Sequence, residues 1–265
     1  MFPVLELGPL IIPVAGVLLL AGLWLGLELA ERTAPHYGVP PADVYGLSLT
    51  ALLIGVAVAR LGYVLQYLDG YLRDPRAILA LNANTLHNSA GVVGAVLAAL
   101  LYLHWRHLPL RRTLDSLAPG LALFAVVLGL AHLASGDAFG AAADLPWVIE
   151  LWDARRHPSQ VYEIVAGLLI FLAVWRFRRF NPFPGFLFAF WLALAATGRL
   201  FLEAFRGDSI IVAGSIRQGQ LAALLVMLFS FWLLGYWARS QVAEAMGGPT
   251  GAPAGATAGD FPRPE

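Results

Sequence analysis

The stretch "LAPGLALFAVVLGLAHLA", residues 117–134, is apolar almost throughout and contains no acidic residue and no arginine. A helix needs about 20 such residues to cross the hydrocarbon core of a bilayer, so this run is close to the required length. The whole chain has the same character, because 59% of its 265 residues are hydrophobic and only 13% are charged. Soluble domains carry about 25% charged residues. The sequence therefore predicts an integral membrane protein.

Seven apolar runs predict an all-α, polytopic fold with about seven transmembrane helices. The expected spans are Leu10–Ala30, Val44–Leu68, Ala90–Leu103, Leu117–Ala134, Tyr162–Trp175, Pro184–Phe205 and Gly219–Trp237. The start of the chain lacks the basic region and cleavage site of a signal peptide, so we expect the first span to be retained. We expect one transmembrane domain over residues 1–245 and a disordered Gly/Pro/Ala-rich tail over residues 246–265.

Arginine placement predicts the orientation of the chain. Two loops hold arginine clusters: Arg106, Arg111 and Arg112 after the third span, and Arg176, Arg178 and Arg179 after the fifth. Positively charged loops remain in the cytoplasm. With seven spans, the N-terminus is then expected outside and the C-terminus inside.

The composition also narrows the chemistry. The chain has no cysteine, which excludes a disulfide, a thiolate nucleophile and a Cys-based metal site. Its formal net charge is zero, which gives no indication of a nucleic-acid partner. The six histidines follow no metal-binding pattern, so we expect neither a metal nor another cofactor.

The segment "GRLFLEAFRGD", residues 198–208, places Arg199, Glu203 and Arg206 at helical spacing on one face. Charges at membrane depth cost at least about 2.5 kcal/mol each, so they usually face a partner or a cavity. One interpretation is a self-neutralising Arg199–Glu203 pair with Arg206 at the interface. The third charge leaves an arginine in excess, which favours an anion site for a lipid phosphate.

Two further polar segments lie near predicted helix ends. In "RHPSQVYE", residues 156–163, Pro158 suits the first turn of a helix and Ser159 can cap it. Gln160, Tyr162 and Glu163 are then expected to face a wet cavity, although an ordinary capped helix start is the alternative. In "VARLGYVLQY", residues 58–67, Arg60 either faces the same site or extends to the interface.

Four segments in this order resemble the prolipoprotein diacylglyceryl transferase family. They are "ARLGYVLQY", Asp115-Ser-Leu-Ala-Pro119, "RHPSQVYE", and "GRLFLEAFRGD" followed by Gly219-Gln220. The resemblance implies an enzyme of the bacterial inner membrane. Such an enzyme transfers diacylglyceryl from phosphatidylglycerol to the lipobox cysteine of a preprolipoprotein signal peptide and releases glycerol phosphate. It implies catalytic roles for Arg199 and Glu203, and substrate-binding roles for Arg60, Gln160, Tyr162, Glu163, Arg206 and Gln220.

The fourth span departs from the family pattern. The family's Arg-x-x-Asn falls on Gly129 and His132, while its Asn-Gly-Glu-x-x-Gly falls on "SGDAFG", which implies substrate-binding roles for Asp137 and Gly140. The match to the family pattern runs from Asp115 to His132 without a gap, and His132 precedes Asp137 by five residues. We therefore expect His132 to act as the base, with the Asp137 carboxylate near it.

The third span departs as well. In "LHNSAGVVG", the family's histidine falls on Ser89, and His87 stands two residues earlier. Two residues turn a helix by about 200°, so His87 can replace that histidine only if the loop is shifted. His87 is the second candidate for the catalytic base.

Three functions remain open from the sequence. The first is an active transferase in which His132 or His87 replaces the lost chemistry. The second is a catalytically silent paralogue that binds phospholipid or lipoprotein precursor, and the substitutions at Ser89, Gly129 and His132 favour it. The third is a small transporter with Arg60, Arg199 and Glu203 along its path. The chain has no internal repeat and no pair of broken helices, so the transporter ranks last.

Overall fold

The computed structural model describes residues 4–7, 10–80 and 85–247. In these residues the chain forms eight α-helices: α1 (Val14–Thr33), α2 (Pro41–Gln66), α3 (Leu68–Arg73), α4 (Asn88–Trp105), α5 (Leu110–Ser135), α6 (Ser159–Phe177), α7 (Phe186–Leu202) and α8 (Gln218–Gly247). Seven of them, all but α3, are long and apolar enough to cross a membrane. The expected all-α fold with seven spans is confirmed.

Three short antiparallel hairpins flank the helices. Their strands are β1 (Val4–Leu7) with β2 (Leu10–Pro13), β3 (Ile149–Leu151) with β4 (Ala154–Arg156), and β5 (Ile211–Ala213) with β6 (Ile216–Arg217). The first hairpin corrects a predicted boundary, because residues 10–13 pair with residues 4–7 instead of opening the first span. Pro13 precedes α1, where its fixed φ and missing N–H do no harm.

Helix α5 is the centre of the bundle and packs against α1, α6 and α7. Small residues allow the backbones to approach closely. A Cβ atom built on Gly120 would lie 2.2 Å from the carbonyl oxygen of Gly26 on α1. Close packing of this kind drives helix association in membranes, where burial of apolar side chains gains little. Beside this centre, α2 packs mainly on α4, and α7 on α8.

Asp115 fastens the start of α7 to α5. Its carboxylate is fully buried and accepts hydrogen bonds from the backbone N–H groups of Gly185 (2.7 Å) and Phe188 (3.0 Å), and from Nδ2 of Asn181 (2.9 Å). The free N–H groups of the first turn of α7 are thus satisfied by a side chain of another helix. The Asp-Ser-Leu-Ala-Pro segment therefore has a clear structural role.

The segment between α5 and α6 lies across the ends of three helices. Ala141 donates a backbone hydrogen bond to Phe205, and Gly207 donates one to Phe139. The C-terminal end of α5, the start of α6 and the end of α7 therefore meet at one end of the bundle. Following the predicted orientation, we name this the outer end, and the opposite end the inner end.

Two other predicted boundaries change. α7 stops at Leu202 and continues as a 3-10 turn over Glu203–Phe205, so Arg206 is extended and lies off the α-helical face assumed from the sequence. α8 continues to Gly247, past the expected start of the tail at residue 246. The rest of that predicted tail, residues 248–265, lies outside the described residues.

Candidate functional site

Glu163, in the second turn of α6, is the centre of a charged cluster at the outer end. Its Oε2 atom lies 2.8 Å from Nδ1 of His132 on α5. Its Oε1 atom lies 2.8 Å from Nη1 of Arg206 and 3.5 Å from Nη1 of Arg199. The Glu163 side chain is only 13% exposed, so one sheltered carboxylate joins side chains of three separate elements. We call His132, Glu163, Arg199, Glu203 and Arg206 the Glu163 cluster.

Gly129 explains how His132 reaches Glu163. A Cβ atom on Gly129 would lie 2.9 Å from Cγ1 of Ile164 and 3.2 Å from its backbone nitrogen. The position where the family pattern has an arginine is therefore occupied by the backbone of α6. His132 lies three residues later on the same face of α5 and so meets Glu163 across this contact. The two departures from the family pattern, Gly129 and His132, thus act together: the glycine lets α6 approach and the histidine contacts Glu163 there.

The imidazole of His132 is oriented by Glu163. An ionised carboxylate can only accept hydrogen bonds, so Nδ1 must carry the proton that faces it. Nε2 is then the unprotonated nitrogen of the neutral ring. It makes no hydrogen bond within the described part of the chain, and the side chain is 27% exposed. His132 therefore offers a proton acceptor at the edge of the cluster.

Arg199 and Glu203 form the ion pair that their spacing predicts. Nη2 of Arg199 lies 2.8 Å from Oε2 of Glu203, whose side chain is 3% exposed. Oε1 of Glu203 accepts a hydrogen bond of 2.7 Å from Ser209. Gly219 at the start of α8 lies directly against this carboxylate, because a Cβ atom there would come within 2.5 Å of Cδ. Arg199 itself is 44% exposed, and its Nε atom has no partner among the described residues.

Arg206 is held more completely. Its Nε and Nη2 atoms contact the two carboxylate oxygens of Asp208 at 2.9 and 2.6 Å, and its Nη1 contacts Glu163. Burial opposes its charge, but the hydrogen bonds to Asp208 and the negative charges of Glu163 and Glu203 raise the pKa of Arg206 above its usual range. The expected excess arginine on this face is therefore wrong, because carboxylates from other segments balance it.

Arg217 and Asp208 belong to the same region, and sequence reasoning missed both. Nη1 of Arg217 donates to the backbone carbonyls of Glu203, at 2.6 Å, and Arg206. It thereby closes the turn that carries Glu203 and Arg206. A short Gly-Asp-Ser turn followed by an arginine was the only signal in the sequence.

Gln160 does not face a wet cavity, contrary to the expectation from the sequence, while Tyr162 is partly exposed. Gln160 is fully buried, and its Nε2 donates to the backbone carbonyl of Asp137 at 3.0 Å. Tyr162 accepts a hydrogen bond of 2.9 Å from Nε1 of Trp147 through its hydroxyl. Ser159 donates to the carbonyl of Ala138 instead of capping α6. These side chains fasten the segment between α5 and α6.

The other predicted contributors at this end have different roles. The carboxylate of Asp137 forms no ion pair within the described residues, so Glu163, and not Asp137, is the partner of His132. Gly140 forms an antiparallel bridge with Arg206 and must be glycine, because a Cβ atom would lie 2.1 Å from the carbonyl oxygen of His157. The side chain of Gln220, in the first turn of α8, makes no hydrogen bond in the part of the chain that the structure describes.

Arg60 lies outside the Glu163 cluster. Its guanidinium donates to the backbone carbonyls of Ala77 (2.6 Å), Ile78 (3.0 Å) and Thr85 (3.0 Å), and it stacks over the ring of Tyr71. The residue is 7% exposed, so it does not extend freely to the interface. Arg60 thus binds the described residues 77, 78 and 85, which lie between α3 and α4, to α2.

His87 lies at the start of α4, near Arg60. Its Nδ1 accepts the backbone N–H of Ala90 at 3.3 Å and lies 3.1 Å from the hydroxyl of Ser89. Its own backbone N–H donates to Ala59 of α2 at 2.9 Å. The ring therefore caps a helix, and the structure does not bring it into the Glu163 cluster.

Fold and site together define a polytopic membrane protein with a sheltered charged cluster at one end of its helices. Within the described residues, no group of three or more histidine, aspartate or glutamate side chains could hold a metal ion. The available chemistry is an oriented imidazole beside guanidinium groups. This set suits proton transfer next to a developing negative charge.

Comparison with known proteins agrees with this class. The family model for prolipoprotein diacylglyceryl transferase matches residues 3–236. The chain belongs to this family. Three similar proteins are each named phosphatidylglycerol–prolipoprotein diacylglyceryl transferase. The one from Rhodospirillum centenum is 32% identical over 96% of this chain and 95% of its own length. The one from Geobacillus kaustophilus is 30% identical over 89% of this chain and 94% of its own length. The one from Clostridioides difficile is 27% identical over 79% of this chain and 84% of its own length.

The family expected from the four sequence segments is thus confirmed, and with it the transferase class. A membrane transporter, the third function left open by the sequence, does not agree with this family.

Proposed function

We propose that this chain transfers the diacylglyceryl group of phosphatidylglycerol to the lipobox cysteine thiol of a preprolipoprotein signal peptide, releasing glycerol phosphate. The observation that carries the proposal is the contact between His132 and Glu163. It supplies an oriented base although the arginine and asparagine of the family pattern are replaced. The family and the names of the similar proteins support the substrate classes.

The reaction needs a base because the nucleophile belongs to the substrate. A cysteine thiol has a pKa near 8.5, so only a few per cent of it is thiolate at neutral pH. In the proposed step, the thiol proton passes to Nε2 of His132 as sulfur attacks the glyceryl carbon. A carbon–sulfur bond forms, and the carbon–oxygen bond to the phosphate breaks. Glu163 stabilises the imidazolium that results.

Arg199 is the residue best placed to receive the phosphate. Its side chain is 44% exposed and keeps Nε free, whereas all three nitrogens of the Arg206 guanidinium are already engaged by carboxylates. As the carbon–oxygen bond breaks, negative charge grows on the leaving phosphate, and a fixed guanidinium stabilises it. Arg206 is then a positioning residue that holds Glu163.

The bilayer supplies the lipid directly. Large apolar side chains are exposed on several helices, among them Leu20, Trp24, Leu65 and Leu101. Such surfaces are stable only in contact with acyl chains. Together with the arginine-rich loops, they support a multi-pass protein of the bacterial cytoplasmic membrane, with the Glu163 cluster towards the outside.

The direct test is transfer by the purified chain. Phosphatidylglycerol with a labelled diacylglyceryl group is incubated with a lipobox peptide, and the labelled peptide is measured. We expect transfer to the cysteine peptide and none to a matched peptide in which serine replaces cysteine. Binding of lipid or peptide without any transfer would instead identify a silent paralogue.

A further inference from the structure

The inner end of the bundle contains a second arginine-lined site, a cavity of about 570 Å³. The 3-10 turn that follows α1 (Ala34–Tyr37), the start of α5 and the connection between α6 and α7 line it. Its lining includes His36, Tyr37, Gly38, Arg112, Arg179 and Asn181. We call it the inner cavity. It lies at the opposite end of α5 from His132.

The side chains of the two arginines of the inner cavity have no partner in the part of the protein that the structure describes. Arg112 and Arg179 are exposed, and neither side chain makes a hydrogen bond, ion pair or ring contact within the described residues. The described lining contains no carboxylate. Two guanidinium groups facing one space repel each other unless an anion lies between them. The cavity is therefore electrostatically suited to a negatively charged ligand.

The walls around these arginines are fixed by other residues. The hydroxyl of Tyr37 donates to the backbone carbonyl of Arg178 at 3.4 Å, which joins the turn after α1 to the end of α6. Asn181 donates to the buried carboxylate of Asp115 at 2.9 Å, which joins the connection between α6 and α7 to α5. The cavity is therefore held in shape by contacts that leave both guanidinium groups free for a ligand.

The level of the cavity identifies the source of the anion. Its lining residues lie at the ends of four spans. Two of these spans end at Tyr37 and Phe177, and the other two begin at Leu110 and Phe186. Trp175, Phe177 and Phe180 are exposed at the same level, as in the aromatic belt at a membrane interface. Lipid phosphates lie at this depth.

We propose that the inner cavity binds the phosphate of an anionic phospholipid headgroup from the adjacent leaflet, which the predicted orientation makes the cytoplasmic one. Arg112 and Arg179 bind the phosphate oxygens, for which the planar guanidinium is well matched. The lipid is bound there without reacting. The bound headgroup contacts the turn after α1, the start of α5 and the connection between α6 and α7.

The test measures lipid binding to the purified full-length chain by native mass spectrometry. The probe is phosphatidic acid, which is not the proposed diacylglyceryl donor, and phosphatidylcholine is the neutral comparison. We expect wild-type protein to prefer phosphatidic acid. The double variant Arg112→Gln/Arg179→Gln should bind it at least about tenfold more weakly, because charge-assisted hydrogen bonds are lost.

The matched control is Arg176→Gln/Arg239→Gln, which removes two exposed arginines from the same end without touching the cavity lining. We expect its binding to stay within about twofold of wild type. Equal losses in both double variants would overturn the proposal in favour of a general surface charge. Because all four side chains are exposed, folding should be unaffected, and the elution profile on gel filtration checks this for each variant.

Two further experiments distinguish a lipid phosphate from free phosphate, and binding at the inner cavity from binding at the Glu163 cluster. Inorganic phosphate alone should not raise the Tm of the wild-type chain, and a rise that Arg112→Gln/Arg179→Gln removes would replace the lipid with a free anion. Arg112→Gln/Arg179→Gln should weaken phosphatidic acid binding by the same factor in a Glu163→Gln background, because the cluster lies at the other end. Failure of transfer activity with retained lipid binding would count against the proposed function only.

Discussion

The outer and inner ends of the helix bundle use arginine in opposite ways. At the outer end, Arg199 and Arg206 contact Glu163 and Glu203, whose side chains are 13% and 3% exposed. At the inner end, Arg112 and Arg179 face a cavity without a described carboxylate. The outer arginines are thus held in place by carboxylates before any substrate binds, while the inner arginines are accessible to an anionic ligand.

This difference has a functional meaning. Catalysis benefits from charges that are fixed before reaction, because no reorganisation is then needed as negative charge develops. Binding of a lipid headgroup needs only accessible charge at the interface. The carboxylates of the Glu163 cluster therefore do not simply cancel the arginines. They fix their positions and leave the exposed Arg199 for the phosphate.

The largest effect is expected from Arg199→Ala. This change should lower diacylglyceryl transfer by about 10³-fold, because the developing phosphate charge loses its nearest accessible cation. The amount of folded protein should remain near normal, since the side chain is 44% exposed. Arg112→Ala is the control, with transfer close to wild type. Full activity of Arg199→Ala would contradict the assignment, and loss of folded protein would identify a structural ion pair.

A smaller but still large effect is expected from Glu163→Gln. The amide keeps the shape of the side chain but no longer stabilises an imidazolium at His132 or pairs with Arg206. Transfer should fall by about 10²-fold, in line with the loss of general-base assistance. Steady-state kinetics with lipobox peptide should place most of the loss in kcat. A change confined to KM would mean that Glu163 binds substrate instead of orienting the base.

Glu203→Gln should reduce transfer by about tenfold, less than Arg199→Ala. The glutamine still accepts the hydrogen bond from Ser209 and stays beside Arg199, although the charge of the ion pair is lost. Rates for the two variants should be compared in the same membrane preparation. Equal and complete inactivation would indicate that the Glu203 carboxylate itself takes part in the chemistry.

Gly129→Ala tests the contact that brings α5 and α6 together. The added methyl group meets Ile164, so we expect a loss of about 1–3 kcal/mol in unfolding free energy. Gly235→Ala on α8 is the matched control, since a Cβ atom there meets nothing within 4 Å. Denaturant unfolding in detergent micelles measures both. Equal stability of the two variants would show that the helices do not need this close approach.

Much of the fold followed from hydropathy, because lipid contact requires long apolar helices whatever their neighbours are. The start of α1 did not, because an apolar run such as residues 10–13 is compatible with a helix and also with the hairpin strand that it forms. The partner of His132 was also missed. Glu163 lies 31 residues away, and only the packing of α5 on α6 at Gly129 brings the two side chains together.

The wrong expectations for polar residues share one cause. Sequence patterns indicate that a polar side chain needs a partner but do not reveal whether that partner is a ligand or the backbone. Gln160 bonds to the carbonyl of Asp137, and Arg60 to three carbonyls, so both complete the fold. The Arg199–Glu203 pair, one of the two interpretations of the sequence, does form, because the 3-10 turn that holds Glu203 continues α7 directly and keeps the i, i+4 neighbours close.

The central claim is that His132, oriented by Glu163, is the base of the transfer reaction. The measurement that tests it most directly is the initial rate of labelled diacylglyceryl transfer by wild type, His132→Ala and His87→Ala under identical conditions. We predict active wild-type protein, a loss of roughly 10²-fold or more in His132→Ala, and a smaller loss in His87→Ala, whose ring caps α4. The reverse order would move the base to His87, and an active wild type that is unaffected by either change would contradict an imidazole base.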